Sequence, residues 1–157
     1  MTTTLLWLFL LVPQAQETGI MDRQIQQEIK ALHQFFQDWF NGTLPRTEES
    51  FVRFSSVMGS DFEIVSPQGQ LVARSPLLER LEAAHGIYRD QPCRIWVENP
   101  RVRQVAADLW LATYEEWQDR EGQTRGRLSS ALFQARSTAP NGVIWRHVHE
   151  TWLPEKP

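Results

Sequence analysis

Between Asp22 and Phe40 the apolar residues Ile25, Ile29, Leu32, Phe36 and Trp39 recur in steps of four and three. That spacing predicts an amphipathic helix, with Arg23, Gln27, Lys30, Gln34 and Gln37 on its polar side. Asn41-Gly42 ends it, since both residues tolerate a left-handed C-terminal cap. After Pro45 a shorter helical pattern turns Phe51, Phe54 and Met58 inward and stops at Gly59. The period then changes to two: Phe62 and Ile64 alternate with Asp61 and Glu63. Ser66-Pro67-Gln68-Gly69 has the residue preferences of a type I turn, and Leu71 to Ala73 forms a short return strand. Ser75-Pro76 opens a third helix, with Ser as its N-cap, Pro at its first position and Leu77, Leu78, Leu81 and Ala84 on its buried side.

From Pro92 onward the pattern is that of strands. Cys93, Ile95 and Val97 alternate with Arg94, Trp96 and Glu98, and Asn99-Pro100 marks a bulge or bend. The segment resumes through Val105. Leu109 to Gln118 and Arg127 to Arg136 are further strands, separated by a loop containing Gly122. Ala139-Pro140-Asn141-Gly142 is a turn, and Val143 to Leu153 is the last strand. Helices grouped early and strands grouped late predict an α+β fold. Long strands joined by short turns predict an antiparallel sheet, one face of which the three helices must cover. A strongly curved sheet wrapped on the long first helix makes a cone with an open mouth.

The chain has 157 residues, 41% of them hydrophobic and 22% charged, which suits one globular domain. With 16 Lys and Arg against 19 Asp and Glu, it lacks the basic excess of a nucleic-acid binder. One cysteine, Cys93, excludes an internal disulfide and a cysteine-based zinc site; it is expected in the core. No apolar run is long enough to span a membrane. Leu5–Val12 has the length of a signal-sequence core. However, the first basic residue is Arg23 and no small-x-small cleavage site follows. Residues 1–20 are therefore expected to be a leader, a disordered tail or an upstream mis-start before Met21, with one domain over 22–154. The expected location is cytoplasmic, with export as the alternative.

Three landmarks carry a family resemblance: the long helix ending in DWFNG at 38–42, the hairpin DFEIVSPQGQLV at 61–72, and the ending GVIWRHVHETWLP at 142–154. With this element order, the chain resembles the nuclear transport factor 2-like superfamily. The nearest groups are its SnoaL-like and ketosteroid-isomerase-like domains and the bacterial domains related to the association domain of calcium/calmodulin-dependent protein kinase II. The resemblance implies a cystatin-like α+β cone. It does not carry an isomerase mechanism across. The general-base Asp of ketosteroid isomerases falls at Ser66 here, and their helix tyrosine falls within Gln34-Phe35-Phe36. A serine hydroxyl cannot shuttle protons near neutral pH without a base to activate it.

Seven Trp and eight Phe suit a thick core or the wall of a pocket. His147 and His149 stand two apart on the last strand and are expected on one face with Trp145 and Thr151. A bulge between Trp145 and the pair would reverse that assignment. Tyr114 and Glu116 share a face with Trp110. Trp110, Tyr114, Trp145, His147 and His149 are the candidate ligand-binding residues. His147, His149 and Tyr114 are the candidate proton carriers. Glu115 or Glu116 is expected to pair with an Arg on the adjacent strand, such as Arg127 or Arg136. His33 is expected on the helix surface. Two histidines need a third ligand to hold a metal, for which Glu115 or Glu116 is the one candidate, and no metal or cofactor is expected. The function expected is a small-molecule-binding or assembly domain with an aromatic-walled pocket. The alternative is a cofactor-independent isomerase or dehydratase. The expected partners are a small organic ligand and a second copy in a homodimer through the outer sheet face, with no nucleic acid and no membrane.

Residues 1–20 are expected to be dispensable for folding, because the apolar run there has no periodic stripe. Expressing Met21–Pro157 and comparing melts with the full chain checks this. A loss above about 2 kcal/mol, the scale of burying one large side chain, would show that the leader packs on the domain.

Overall fold

The computed structural model describes residues 14–155. The apolar run Leu5–Val12 lies outside the described residues. Helix α1 spans Gln14–Asn41, α2 spans Glu48–Ser55 and α3 spans Arg74–Ala83. The strands are β1 (Met58–Val65), β2 (Leu71–Ala73), β3 (Arg94–Ala106), β4 (Leu109–Arg120), β5 (Gln123–Ala135) and β6 (Val143–Trp152). They form one six-stranded sheet in the order β2-β1-β6-β5-β4-β3. The fold is therefore α+β, as the switch of period predicts. Three local differences have simple causes. Helix α1 begins eight residues before Asp22, because Gln, Ala and Glu continue a helix readily. Helix α3 begins at Arg74 and its N-cap, Ala73, has no capping side chain. Finally, β1 pairs with β6 in parallel, whereas all other pairs are antiparallel. The long path from β1 through α3 and the meander allows that one parallel pairing.

The inner face of the sheet packs on α1. Ile25, Ile29, Leu32 and Trp39 are almost wholly buried against Trp110, Ala112, Tyr114, Phe133, Trp145 and Val148. Phe35 stacks on Trp39 and on Phe54, so α2 closes the same core. The C-terminal end of α1 also organises the chain around it. Asn41 accepts from the Cys93 amide and donates to the Cys93 carbonyl, both at 2.9 Å. Gln37 accepts from the Ile95 amide at 2.9 Å. Trp39 Nε1 donates to the Leu81 carbonyl at 2.7 Å, which ties α3 to the helix. Cys93 is buried, as expected.

On the outer face Trp117 lies flat over Gly126. A Cβ on Gly126 would sit 2.5 Å from the Trp117 ring, so only glycine fits there. The bulge at Asn99-Pro100 is present: the β3–β4 register shifts between Glu98 and Arg101, and Asn99 has φ 53°.

Glu28 is the deepest charge in the core, with 0% exposure. Arg53 of α2 donates to both its oxygens, at 3.2 and 2.9 Å. Asn141 in the β5–β6 turn donates at 2.7 Å and Trp145 Nε1 at 3.1 Å. Four donors thus satisfy a carboxylate that no water reaches, and they join α1 to α2, to the turn and to β6. Replacing the carboxylate strands Arg53 and the indole N–H. Glu28→Ala is therefore expected to cost about 3–5 kcal/mol in urea unfolding. Arg53→Ala, which strands the more deeply buried partner, is expected to cost a similar amount. A loss below about 1 kcal/mol for both would mean the cluster does not hold the helices.

Candidate functional site

Beyond the packed centre, the cone keeps a cavity of about 160 Å³. Its wall is apolar on the helix side, from Phe36, Phe40, Phe54 and Leu81, and includes Trp145 on the sheet. Its far end is polar: His33, Glu116, Gln118, Arg127 and Glu150. These side chains are brought together by register. Glu116 and Arg127 are directly opposite across β4–β5, and Arg127 is opposite Trp152 across β5–β6. Side chains two apart share a face, so Tyr114, Glu116 and Gln118 all point inward, as do Val148 and Glu150.

The charges form a chain. Arg127 donates to Glu116 Oε1 at 2.8 Å and to Glu150 Oε2 at 2.9 Å. Gln118 also donates to Glu116 Oε1, at 2.5 Å. Glu116 Oε2 lies 3.1 Å from His33 Nε2, while His33 Nδ1 lies 2.7 Å from the Ile29 carbonyl. A carbonyl only accepts, so Nδ1 carries a proton and donates it. A second proton must therefore lie on the Nε2–Oε2 line. With that proton the group of two carboxylates, one guanidinium and one imidazole is electrically neutral, the condition under which buried charge is tolerated.

Burial opposes ionisation of Glu116, but Arg127 and His33 outweigh it and hold the carboxyl down at about 2. Burial lifts Glu150 above the ordinary carboxylate range despite Arg127, and the neighbouring Glu116 adds to the lift. Burial also pushes the Tyr114 phenol well above its ordinary value, with Glu116 and Glu150 acting in the same direction. At neutral pH Tyr114 is thus a hydroxyl donor. Glu116 is a fixed anion with its oxygens occupied. Glu150 is the carboxyl nearest to a change of state, and its Oε1 makes no hydrogen bond among the described residues.

Tyr114 and Trp145 line this cavity. Trp110 is buried in the core beneath it, with its Nε1 lacking a hydrogen-bond partner among the described residues. His147 and His149 do not face the cavity, which corrects the placement expected for them. Phe133 pairs with Trp145 while Leu132 pairs with His147, so Arg146 is an extra residue in β6. Beyond it the faces exchange: Val148 and Glu150 turn inward, His147 is half-buried outside and His149 is exposed. The bulge is held by Arg146, which donates to Asp61 and Gln134.

His33 is also corrected. It is 3% exposed rather than on the surface, because Glu116 and the Ile29 carbonyl supply partners for both ring nitrogens. Glu116 does pair with Arg127, as cross-strand spacing suggests. Glu150 gave no sequence signal, since it stands among mostly polar residues between Arg146 and Thr151. Glu28 could have been found, since it lies three residues after Ile25 and four before Leu32, on the helix stripe.

A family model described as Sucrose-6-phosphate phosphohydrolase C-terminal matches residues 25–154. Sucrose-phosphatase 2 of Nicotiana tabacum is 26% identical over 127 residues, covering 80% of this chain and 30% of that protein. Probable sucrose-phosphatase 3a of Arabidopsis thaliana is 22% identical over 128 residues, covering 82% and 30%. The chain thus spans about a third of the length of the curated relatives it matches. Among solved structures, an NTF-2 like protein of unknown function from Pseudomonas aeruginosa superposes with a TM-score of 0.70 at 21% identity, covering 86% of this chain and 99% of that one. A putative Ca/calmodulin-dependent kinase II association domain from Exiguobacterium sibiricum gives 0.55 at 18% identity, covering 92% and 98%. The fold is the NTF2-like, cystatin-like cone. No helix among the described residues is long and apolar enough to cross a membrane.

The acid limb of stability reports the buried chain of charges. Because the folded-state value of Glu116 is depressed, its contribution is present above the ordinary carboxylate range and is lost as pH falls from about 4.5 toward 2. Glu150 is raised and acts oppositely, its contribution being lost as pH rises through its folded value. Urea midpoints are therefore expected to drop over that acid range in the wild type, and Glu116→Gln is expected to flatten the drop. An unchanged acid limb in the variant would mean that Glu116 is not the group titrating.

Proposed function

The chain belongs to the sucrose-6-phosphate phosphohydrolase C-terminal family, and from that premise we propose that it is a ligand-binding and assembly domain serving a sugar-phosphate phosphatase. The observation that carries this reading is the composition of the cone cavity. An apolar aromatic wall faces a polar end in which Arg127 is already clamped by two carboxylates. Such a wall suits the carbon face of a small polyol, and the polar end suits its hydroxyls. Glu150 accepts a hydroxyl hydrogen through its uncommitted Oε1, and Gln118 and Arg127 provide donors. At about 160 Å³ the cavity is smaller than sites for drug-sized ligands, so one sugar ring is the scale of occupant it suits. The phosphatase activity named for the curated relatives belongs to proteins about three times this length in the match. In this reading the cone binds and orients rather than reacts.

Assembly is the second part of the proposal. Likeness to a kinase association domain supports it. So does the outer sheet face, where Leu128 is 41% exposed beside the half-buried Leu132 and His147. A homodimer through this face would cover them, and His147 and His149 would then be contact residues.

One observation favours a second reading, cofactor-independent isomerisation or dehydration. Glu150 is a cavity carboxyl held above its ordinary range. That is the tuning an acid–base group needs, and Tyr114 would serve as its neutral hydrogen-bond donor.

Titrating the full chain with glucose, fructose, sucrose and sucrose 6-phosphate, followed by tryptophan fluorescence, tests the reading. Saturable binding of at least one sugar is expected, weakened about tenfold by Glu150→Ala, the scale of one lost hydrogen bond to a charged group. Absence of saturation by glucose, fructose and sucrose would remove the ligand-binding proposal, whatever sucrose 6-phosphate does. Sedimentation velocity is expected to show a dimer that Leu128→Glu converts to monomer.

A further inference from the structure

Outside the cone the inner sheet face continues past the ends of the helices. There the β4–β5 hairpin, the segment after α3 and the end of β6 enclose an open vestibule of about 410 Å³. Its floor follows from register. Gln118 is opposite Arg125, and Arg120 is opposite Gln123. Along β5, Gln123, Arg125 and Arg127 are spaced by two and share the inner face. Trp152, 40% exposed, stands beside them on β6. The vestibule shares Gln118 and Arg127 with the cone, but its own cations are Arg120 and Arg125.

These two arginines are unlike the others in the site. Neither makes an ion pair among the described residues, although Asp90 and Glu121 lie on the same rim. Both are nevertheless held in place by aromatic rings. The Arg125 guanidinium lies 4.8 Å from the Trp152 ring centre, and Arg127 lies 5.8 Å from the same ring. Arg120 lies 5.1 Å from the Tyr88 ring and donates to the Tyr88 hydroxyl. A guanidinium stacked on an aromatic face keeps its in-plane N–H groups free and fixes the direction in which they point. The Arg125 side chain makes no hydrogen bond among the described residues, so its whole fork of donors is available. Gln118 and Gln123 add amide groups to the same floor.

We infer that the vestibule is a binding site for a phosphoryl oxyanion, either free phosphate or the phosphate group of a monoester, held by Arg120 and Arg125. Planar, pre-oriented guanidinium forks match the oxygens of phosphate in pairs, which isolated flexible lysines would not do. The three-sided arrangement leaves the mouth open, so the rest of a monoester could lie in solvent or point toward the cone. The inference does not depend on what occupies the cone: it rests on residues of the vestibule, and its probe carries no sugar.

The test uses the full chain and inorganic phosphate, titrated by calorimetry and by the arginine Nε–Hε resonances. Saturable binding is expected, with Arg120 and Arg125 resonances shifting and that of Arg101, exposed on the outer face, unmoved. Arg125→Gln and Arg120→Gln are each expected to weaken binding about tenfold, the scale of losing a charge-assisted hydrogen bond. Trp152→Leu keeps every charge but removes the platform and is expected to weaken binding several-fold. Arg101→Gln is expected to change nothing. A glycerol phosphate arm separates the two sources: tighter binding than inorganic phosphate identifies a monoester site, and weaker binding a site for free phosphate. Either result supports the inference if the same variants weaken it. No saturable phosphate binding to the wild type would overturn it. So would an equal loss in Arg101→Gln, which would mean attraction by diffuse charge. If a vestibule variant fails to fold, the resonance shifts of the wild type still decide: movement at Arg120 and Arg125 supports the site, and its absence rejects it. A chain that binds phosphate but no neutral sugar would retain this inference and lose the cone reading. The opposite result would do the reverse.

Discussion

Helix α1 is held against the sheet by charge that has been taken out of water and must find partners inside. Glu28 and His33 lie a little over one helical turn apart, and each reaches a different part of the sheet. Glu28 gathers donors from α2, the β5–β6 turn and β6. His33 meets Glu116 on β4 and, through it, Arg127 on β5 and Glu150 on β6. A buried carboxylate whose donors are lost is costly, so these two clusters add to the apolar packing in fixing the axial position and rotation of α1.

The same constraint shapes the cavity. Glu116 is saturated by Arg127, Gln118 and His33, which leaves it anionic and unreactive at neutral pH. Glu150 shares the guanidinium but not the other donors, and its carboxyl titrates higher. Two carboxyls on one arginine are thus shifted in opposite directions, because burial dominates at Glu150 whereas Arg127 and His33 dominate at Glu116. The cone and the vestibule meet at Gln118 and Arg127, so a group bound in one would be felt by residues of the other.

An NTF2-like cone is a scaffold, and its chemistry resides in whichever side chains the register turns inward. In this chain a single extra residue, Arg146, makes that selection for β6. It divides the strand into a part that presents Trp145 to the core and a part that presents Val148 and Glu150. The histidine pair, which has the stronger chemical signature in one dimension, is thereby carried to the outside.

Local sequence determined the elements and their kind. The stripe from Ile25 to Trp39 specified α1, the turns at Ser66–Gly69 and Ala139–Gly142 specified two reversals, and the alternation after Pro92 specified the meander. These depend on spacing within one segment, which a single chain displays directly. The cross-strand pair Glu116–Arg127 was legible for a related reason, since neighbouring strands of a meander have few possible registers. What only the tertiary structure decided was which side each late residue faces and which polar groups were buried together. The parallel β1–β6 pairing, the bulge at Arg146 and the partners of His33 join residues as distant in the chain as Met58 and Trp145. A strand changes face at every residue, so one inserted position reverses everything beyond it. The stabilisation that holds that insertion comes from Asp61 and Gln134, on two other strands that the local pattern of β6 does not contain.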